Sequence, residues 1–264
     1  MRLRADKLVV EISGRTVLDR VDFGLKSGEL VMLIGPNGSG KTSLIRSLCG
    51  ELSPRTGSVL LDGKPVNQWK AYDRAKKLAV LFQQASVNFS ITVEQLIQLG
   101  RHPYSQHGKL DSVIINDVMD CMGLTEMAQR SFLSLSGGEQ QRVQVARVLA
   151  QVWQKEAELD GVLILDEPLA ALDIVYQYQL LQLLQKLCSR SLSIVVSIHD
   201  LNLASLFADK MVLLDKGRAV ASGTPESVFT ADNLQQTFHQ SVEIIEHRHT
   251  GRPQMLFSAK HHPV

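Results

Sequence analysis

The sequence predicts an α/β fold: a core of parallel strands with an N-terminal antiparallel β region and an inserted helical subdomain. Three observations carry that reading. Short apolar runs alternate with longer amphipathic segments along most of the chain, the pattern of strand–helix units. Val162–Leu165 and Ile194–Ile198 carry apolar residues on both faces, as expected for strands buried on both faces of a parallel sheet. From about Ser86 to Ala150 no strand pattern occurs, and helical periodicity replaces it.

Taken in order, strands are predicted at Leu8–Ile12, Glu29–Ile34, Ser58–Leu61 and Leu78–Phe82, then at Val162–Asp166, Ser193–His199 and Met211–Asp215. Helices are predicted at Thr42–Leu48, Thr92–Arg101, Asp111–Met122 and Gly138–Ala150. After about Thr224 the chain turns polar and carries Pro225, Pro253 and Pro263, which reads as a short α/β extension. The expected organisation is one domain over 1–264, with the helical subdomain at about 86–150 and the extension at about 224–264.

Composition excludes several classes. The chain has 264 residues, 44% of them hydrophobic and 21% charged, with a formal net charge of +1. That length can bury a full core, and so small a charge provides no basic field for nucleic acid. The start, MRLRADKLVVEIS, lacks the apolar run of a secretion signal, and no apolar run is long enough to cross a bilayer. Cys49, Cys121 and Cys188 form no CxxC or metal-ligand spacing. Cys49 and Cys188 fall in helical apolar patterns, so buried free thiols and a reducing compartment are expected.

Gly35-Pro36-Asn37-Gly38-Ser39-Gly40-Lys41-Thr42 fits GxxxxGK[ST] and stands between an apolar strand and a helical segment. That context makes a phosphate cradle. Glycines let backbone N–H groups converge on phosphate oxygens, and the helix N-terminus adds partial positive charge. Lys41 is the candidate for the β- and γ-phosphates of ATP, and the Thr42 hydroxyl for Mg²⁺. The strand Val162–Leu165 ends in Asp166 and Glu167, and ligands bind beyond the carboxyl ends of such strands. Asp166 is placed to hold Mg²⁺ and Glu167 to orient and activate a water. His199 ends another strand and could contact a γ-phosphate, although a single histidine at a strand end is more often structural.

Leu135-Ser136-Gly137-Gly138-Glu139-Gln140-Gln141-Arg142 resembles the LSGGQ signature of ABC ATPases, with Glu139 where glutamine is usual. Serine and two glycines opening a helix form a second anion-binding N-terminus. The resemblance covers essentially the whole chain. It implies a P-loop NTPase (RecA-like) core, and a head-to-tail homodimer in which Ser136, Gly137 and Gly138 of one subunit close on ATP held by the other. It also implies that Gln83, rather than Gln84, touches Mg²⁺ and couples the site to a membrane partner. Asp173, in Ala170-Ala171-Leu172-Asp173, would lie at the dimer interface, and His199 would be the switch histidine. The family commonly stacks an aromatic residue on adenine, and Ile12 occupies that position here. Aliphatic packing in place of a stack predicts weaker base discrimination, so measurable GTP hydrolysis is expected beside that of ATP. A strong ATP preference in parallel turnover assays would contradict this.

The run from Thr92 to Tyr104, TVEQLIQLGRHPY, and Lys216–Pro225 are similar to importer subunits for iron–siderophores, heme and cobalamin. The insertion Trp153–Glu158 is similar to that of heme-importer ATPases. The resemblance implies an ATP hydrolase at the cytoplasmic face of a bacterial inner membrane, bound to two polytopic permease subunits and, indirectly, to a periplasmic substrate-binding protein. Hemin is the implied cargo. A ferric siderophore, cobalamin, or a soluble non-transport role remain open alternatives. His247, His249, His261 and His262 lie in a polar tail without an apolar pocket, so they are expected to be solvated rather than heme ligands.

Overall fold

A computed structural model describes residues 1–83, 87–104, 108–154 and 159–257. Gln84, Ser86, the insertion residues 155–158, His261 and His262 lie outside the described residues. The chain opens with β1 (Leu3–Ile12) and β2 (Arg15–Leu25), antiparallel and joined at Ser13-Gly14, which both have positive φ. β3 (Leu30–Ile34) leads through the glycine-rich loop into α1 (Lys41–Leu48). β4 (Thr56–Leu61), β5 (Lys64–Pro65), α2 (Ala71–Lys77) and β6 (Leu78–Leu81) follow. Then come α3 (Val93–Gln98), α4 (Gly108–Cys121) and α5 (Gly137–Val152). β7 (Val162–Asp166), α6 (Ile174–Cys188), β8 (Ser193–Ser197), α7 (Leu201–Phe207) and β9 (Lys210–Asp215) return to the core. β10 (Arg218–Gly223), α8 (Pro225–Val228), α9 (Ala231–Phe238), β11 (Val242–Glu246) and β12 (Pro253–Phe257) complete it.

The main sheet has the order β10-β9-β3-β8-β7-β6. Its strands are parallel except β10, which pairs antiparallel with β9. Side chains alternate faces along a strand, and here the two faces feed two cores. Leu163 and Leu165 of β7 join the core formed with α3–α7, whereas Val162 and Ile164 join the core with α1 and β1, β2 and β4. β3 divides likewise, with Met32 in the first and Leu33 in the second. Each such side chain contributes about 1.5–3 kcal/mol by burial, and this double anchorage fixes the strand ends that carry the polar residues. A second sheet, β2-β1-β4-β5, is antiparallel. β11 and β12 form a separate hairpin.

The predicted strands are all present, and Val162–Asp166 has the bounds expected. β8 stops at Ser197 because its last partner is Asp166 at the end of β7, so His199 lies beyond the sheet. The helix expected over Thr92–Arg101 ends at Gln98 and tightens into a 3₁₀ turn over Leu99–Tyr104. Pro103 denies the α-helix a donor, and Gly100 passes so close to α5 that a Cβ would lie 2.1 Å from the Arg147 carbonyl oxygen. The next residue, Arg101, is buried, pairs with Asp111 at 2.8 Å and donates to the carbonyls of Ala150 and Trp153 at the end of α5. A cation placed there also complements the helix dipole. Cys188 is buried as expected, but Cys49 is only half-buried, at the end of α1, where its thiol meets the Arg46 carbonyl. Among the described residues no helix is long and apolar enough to cross a membrane.

Candidate functional site

The carboxyl ends of β3, β8, β7 and β6 lie side by side, and each delivers one part of a single cavity. Its volume is about 730 Å³, and Asn37–Ser43, Gln83, Glu167 and His199 line it. Gly35 is required at the base of the cradle. Its φ is +145°, and a Cβ there would stand 2.1 Å from the Leu214 carbonyl oxygen. Lys41 is 6% exposed, and its ammonium donates to the carbonyls of Gly35 at 2.8 Å and Pro36 at 3.2 Å. Burial pushes its pKa down, while Glu167 and then Asp166 pull it upward. Ser39 Oγ is buried with no hydrogen-bond partner. An orphaned donor inside a loop of convergent N–H groups fits an anion.

Asp166 is 1% exposed, and each of its oxygens has a partner. Thr42 Oγ1 donates to Oδ2 at 3.0 Å, and Ser197 Oγ donates to Oδ1 at 2.6 Å. Glu167 is held at both oxygens. Gln83 Nε2 donates to Oε2 at 2.6 Å, and His199 Nε2 lies 2.6 Å from Oε1. An ionised carboxylate only accepts, so the facing ring nitrogen carries the proton. Glu167 has φ +53°, a left-handed backbone that costs a non-glycine residue about 1–3 kcal/mol. Its N–H donates to Ser197 Oγ at 2.8 Å, which holds that conformation. Thr42, Asp166 and Gln83 present a hydroxyl, a carboxylate and an amide oxygen. This hard oxygen set with a single carboxylate fits Mg²⁺, which is held by one or two carboxylates and keeps waters or phosphate oxygens in its other positions. Among the described residues there is no cluster of three or more His, Cys, Asp or Glu side chains that would hold a metal alone.

Ser197 was not singled out in the sequence, where it reads as one small residue in an apolar strand. It is fully buried and bridges Asp166 to the Glu167 backbone. Ser197→Ala strands a buried acceptor and a donor. It is therefore expected to lower stability by about 1–3 kcal/mol and to reduce turnover more than nucleotide affinity. An unchanged denaturation midpoint would contradict this.

The turn Lys216-Gly217 was also missed. It lines the cavity, and the Gly217 N–H donates to the Ser39 carbonyl at 2.9 Å. Ile12, at the end of β1, is 40% exposed and does not line the cavity, whereas Arg15, Thr16 and Val17 do.

Ser136, Gly137, Gly138 and Asp173 do not line this cavity. Ser136 caps α5 in a reciprocal box: its hydroxyl accepts from Glu139 N at 3.4 Å, and its own N–H and hydroxyl donate to Glu139 Oε2 at 2.8 Å and 2.7 Å. Those bonds hold the Glu139 carboxyl below its usual range. A carboxylate suits this position, because it also faces the positive end of the helix. Gln141 Nε2 donates to the Pro168 carbonyl at 3.1 Å, tying this helix to the loop that follows Glu167. Asp173 caps α6, accepting from the N–H groups of Val175 and Tyr176 at 3.0 Å each. A second cavity, of about 490 Å³ and bordered by Arg142, Tyr176 and Cys121, shares no lining residue with the first.

This arrangement has known counterparts. The ABC transporter family model matches residues 18–170. The hemin import ATP-binding protein of Pseudomonas aeruginosa is 41% identical over 251 residues, which span 95% of this chain and 98% of that one. An ABC transporter solved in an inward-facing conformation superimposes with a TM-score of 0.79 at 24% identity, covering 98% of this chain and 99% of its own. A dimeric ATP-binding cassette solved with ADP and phosphate gives 0.73 at 25% identity, covering 84% and 98%. The chain belongs to the ABC transporter family.

Proposed function

We propose that this chain is the ATP-hydrolysing subunit of a hemin importer, working through a separate permease. The observation that carries the chemistry is Glu167, held between Gln83 and His199 at the mouth of the phosphate cradle. The cargo rests on the likeness, at 41% identity over nearly the whole length, to a protein whose name is hemin import ATP-binding protein.

In this reading Gly35, Pro36, Asn37, Gly38, Ser39 and Gly40 surround the phosphates of ATP, and Lys41 donates to their oxygens. Thr42, Asp166 and Gln83 would hold Mg²⁺, which would supply positive charge to offset that of the phosphates. Each Glu167 oxygen has one partner and keeps a second acceptor site, so the carboxylate can still orient a water and accept its proton. Gln83 would reach the Mg²⁺ and His199 the γ-phosphate when ATP is bound. Ser136, Gly137 and Gly138, remote from their own cavity, serve the ATP of a second copy, with Asp173 near that contact. The dimeric cassette with ADP and phosphate supports this pairing.

Closure of two copies then moves two polytopic permease subunits at the cytoplasmic face of the inner membrane, because ATP favours one state over the other. A periplasmic substrate-binding protein would act through the permease. Purification from native membranes tests the assembly. A polytopic permease should co-purify, and hemin-loaded binding protein should raise ATP turnover. A soluble partner alone would favour a non-transport ATPase.

A further inference from the structure

The segment from His199 to Phe207 is fixed at both ends by different parts of the chain. Ser197, two residues before His199, is tied to Asp166 and Glu167. Asp200, the next residue after His199, caps α7 by accepting from Leu203 N at 2.9 Å. Two residues further on, in the first turn of α7, the Asn202 side chain pairs with the backbone of β12 at both ends of its amide. Met255 N donates to Asn202 Oδ1 at 2.7 Å, and Asn202 Nδ2 donates to the Met255 carbonyl at 3.2 Å. Ser205 Oγ adds a bond to the Pro253 carbonyl at 2.5 Å, and Gln254 Nε2 donates to the Asn202 carbonyl at 3.3 Å.

Asn202 thus behaves as one rung of a sheet added to the free edge of β12, while β11 occupies its other edge. Val242, Ile244 and Met255 pack on the main core, and Arg252 pairs with Glu226 of α8 at 3.1 Å. The hairpin thus has anchors on the main core and on α8 besides its packing against α7. α7 has only seven residues and relies on tertiary support, from the core through Leu201, Ala204 and Phe207 and from β12 through Asn202 and Ser205, and His199 stands directly before its cap.

We propose that the C-terminal hairpin is a positioning element of the catalytic site, with Asn202 the residue through which it holds His199 against Glu167. The inference rests on the function proposed above for His199. It assigns a role to a part of the chain that touches neither nucleotide nor metal.

Asn202→Ala removes both rungs, and Met255→Pro removes the N–H of one of them. A small displacement of a catalytic group has a large effect on rate, so turnover is expected to fall by about three- to tenfold in either variant, with KM for ATP unchanged. The double variant should be no worse than the more affected single one, because both changes cut the same link. Asn202→Asp keeps the acceptor for Met255 N–H and should retain most of the turnover. Imidazole NMR signals of His199, assigned with His199→Gln, give a readout that needs no hydrolysis. They should shift and broaden in Asn202→Ala and in Met255→Pro. Unmoved His199 signals, or additive losses in the double variant, would overturn the proposal. A wild-type chain that fails to hydrolyse ATP while its His199 signals still respond would count against the proposed function and leave the mechanical link standing.

Discussion

Glu167→Gln is expected to lower ATP turnover by about 10²- to 10⁴-fold, the usual contribution of a positioned general base, while nucleotide binding stays near normal. The reasons are geometric. Glutamine keeps the size of the side chain and its oxygen can still accept from Gln83, while its NH₂ faces His199 and bonds there only when the ring nitrogen accepts. The Glu167 N–H bond to Ser197 belongs to the backbone and is unaffected. What disappears is the ability to accept a proton from water. Bound ATP should then persist, and two copies should be held together by it. Gel filtration with ATP and Mg²⁺ is expected to show a dimer in Glu167→Gln, reverting to monomer with ADP. Near-normal turnover in this variant would place water activation on another group.

Lys41→Ala is expected to weaken ATP binding and to abolish most turnover. A hydrogen bond to a charged group contributes about 1.5–3 kcal/mol, so losing one phosphate contact lowers affinity by roughly ten- to 150-fold. The variant also leaves the Gly35 and Pro36 carbonyls without the ammonium that now joins them. That loss is offset in part, because removing a cation whose charge is penalised by burial relieves a desolvation cost. Stability should therefore change much less than affinity. Equilibrium titration with a fluorescent nucleotide, beside a thermal melt, separates the two effects. Unchanged nucleotide affinity would remove Lys41 from the phosphate contacts.

What the sequence displays and what it conceals follow from locality. The cradle is legible because its backbone demands fall on consecutive residues, and the acidic pair because it ends a five-residue apolar strand. Gln83 and His199 are also strand-end residues, recovered through resemblance to a family. Ser197 is concealed because its partners, Asp166 and Glu167, are about thirty residues away in sequence and meet it only through the β7–β8 register. Gly217 reaches Ser39 by the same kind of non-local closure.

β2 escaped prediction for a different reason. Val21, Phe23 and Leu25 alternate, but Asp19 and Arg20 fall together before them and the pairing with β1 shifts register three times, so the period of two covers only the second half of the strand. The C-terminal hairpin is half-exposed and its two strands have five residues each, and it is held in part by amide and hydroxyl groups whose bonding partners a linear sequence does not reveal.

Hemin uptake into proteoliposomes tests the central claim most directly. The vesicles would hold this chain with its membrane permease, and would be supplied with the binding protein and hemin. ATP-dependent hemin accumulation that vanishes in Glu167→Gln is the predicted result. Vesicles that hydrolyse ATP but accumulate no hemin, while taking up a ferric siderophore or cobalamin instead, would contradict it.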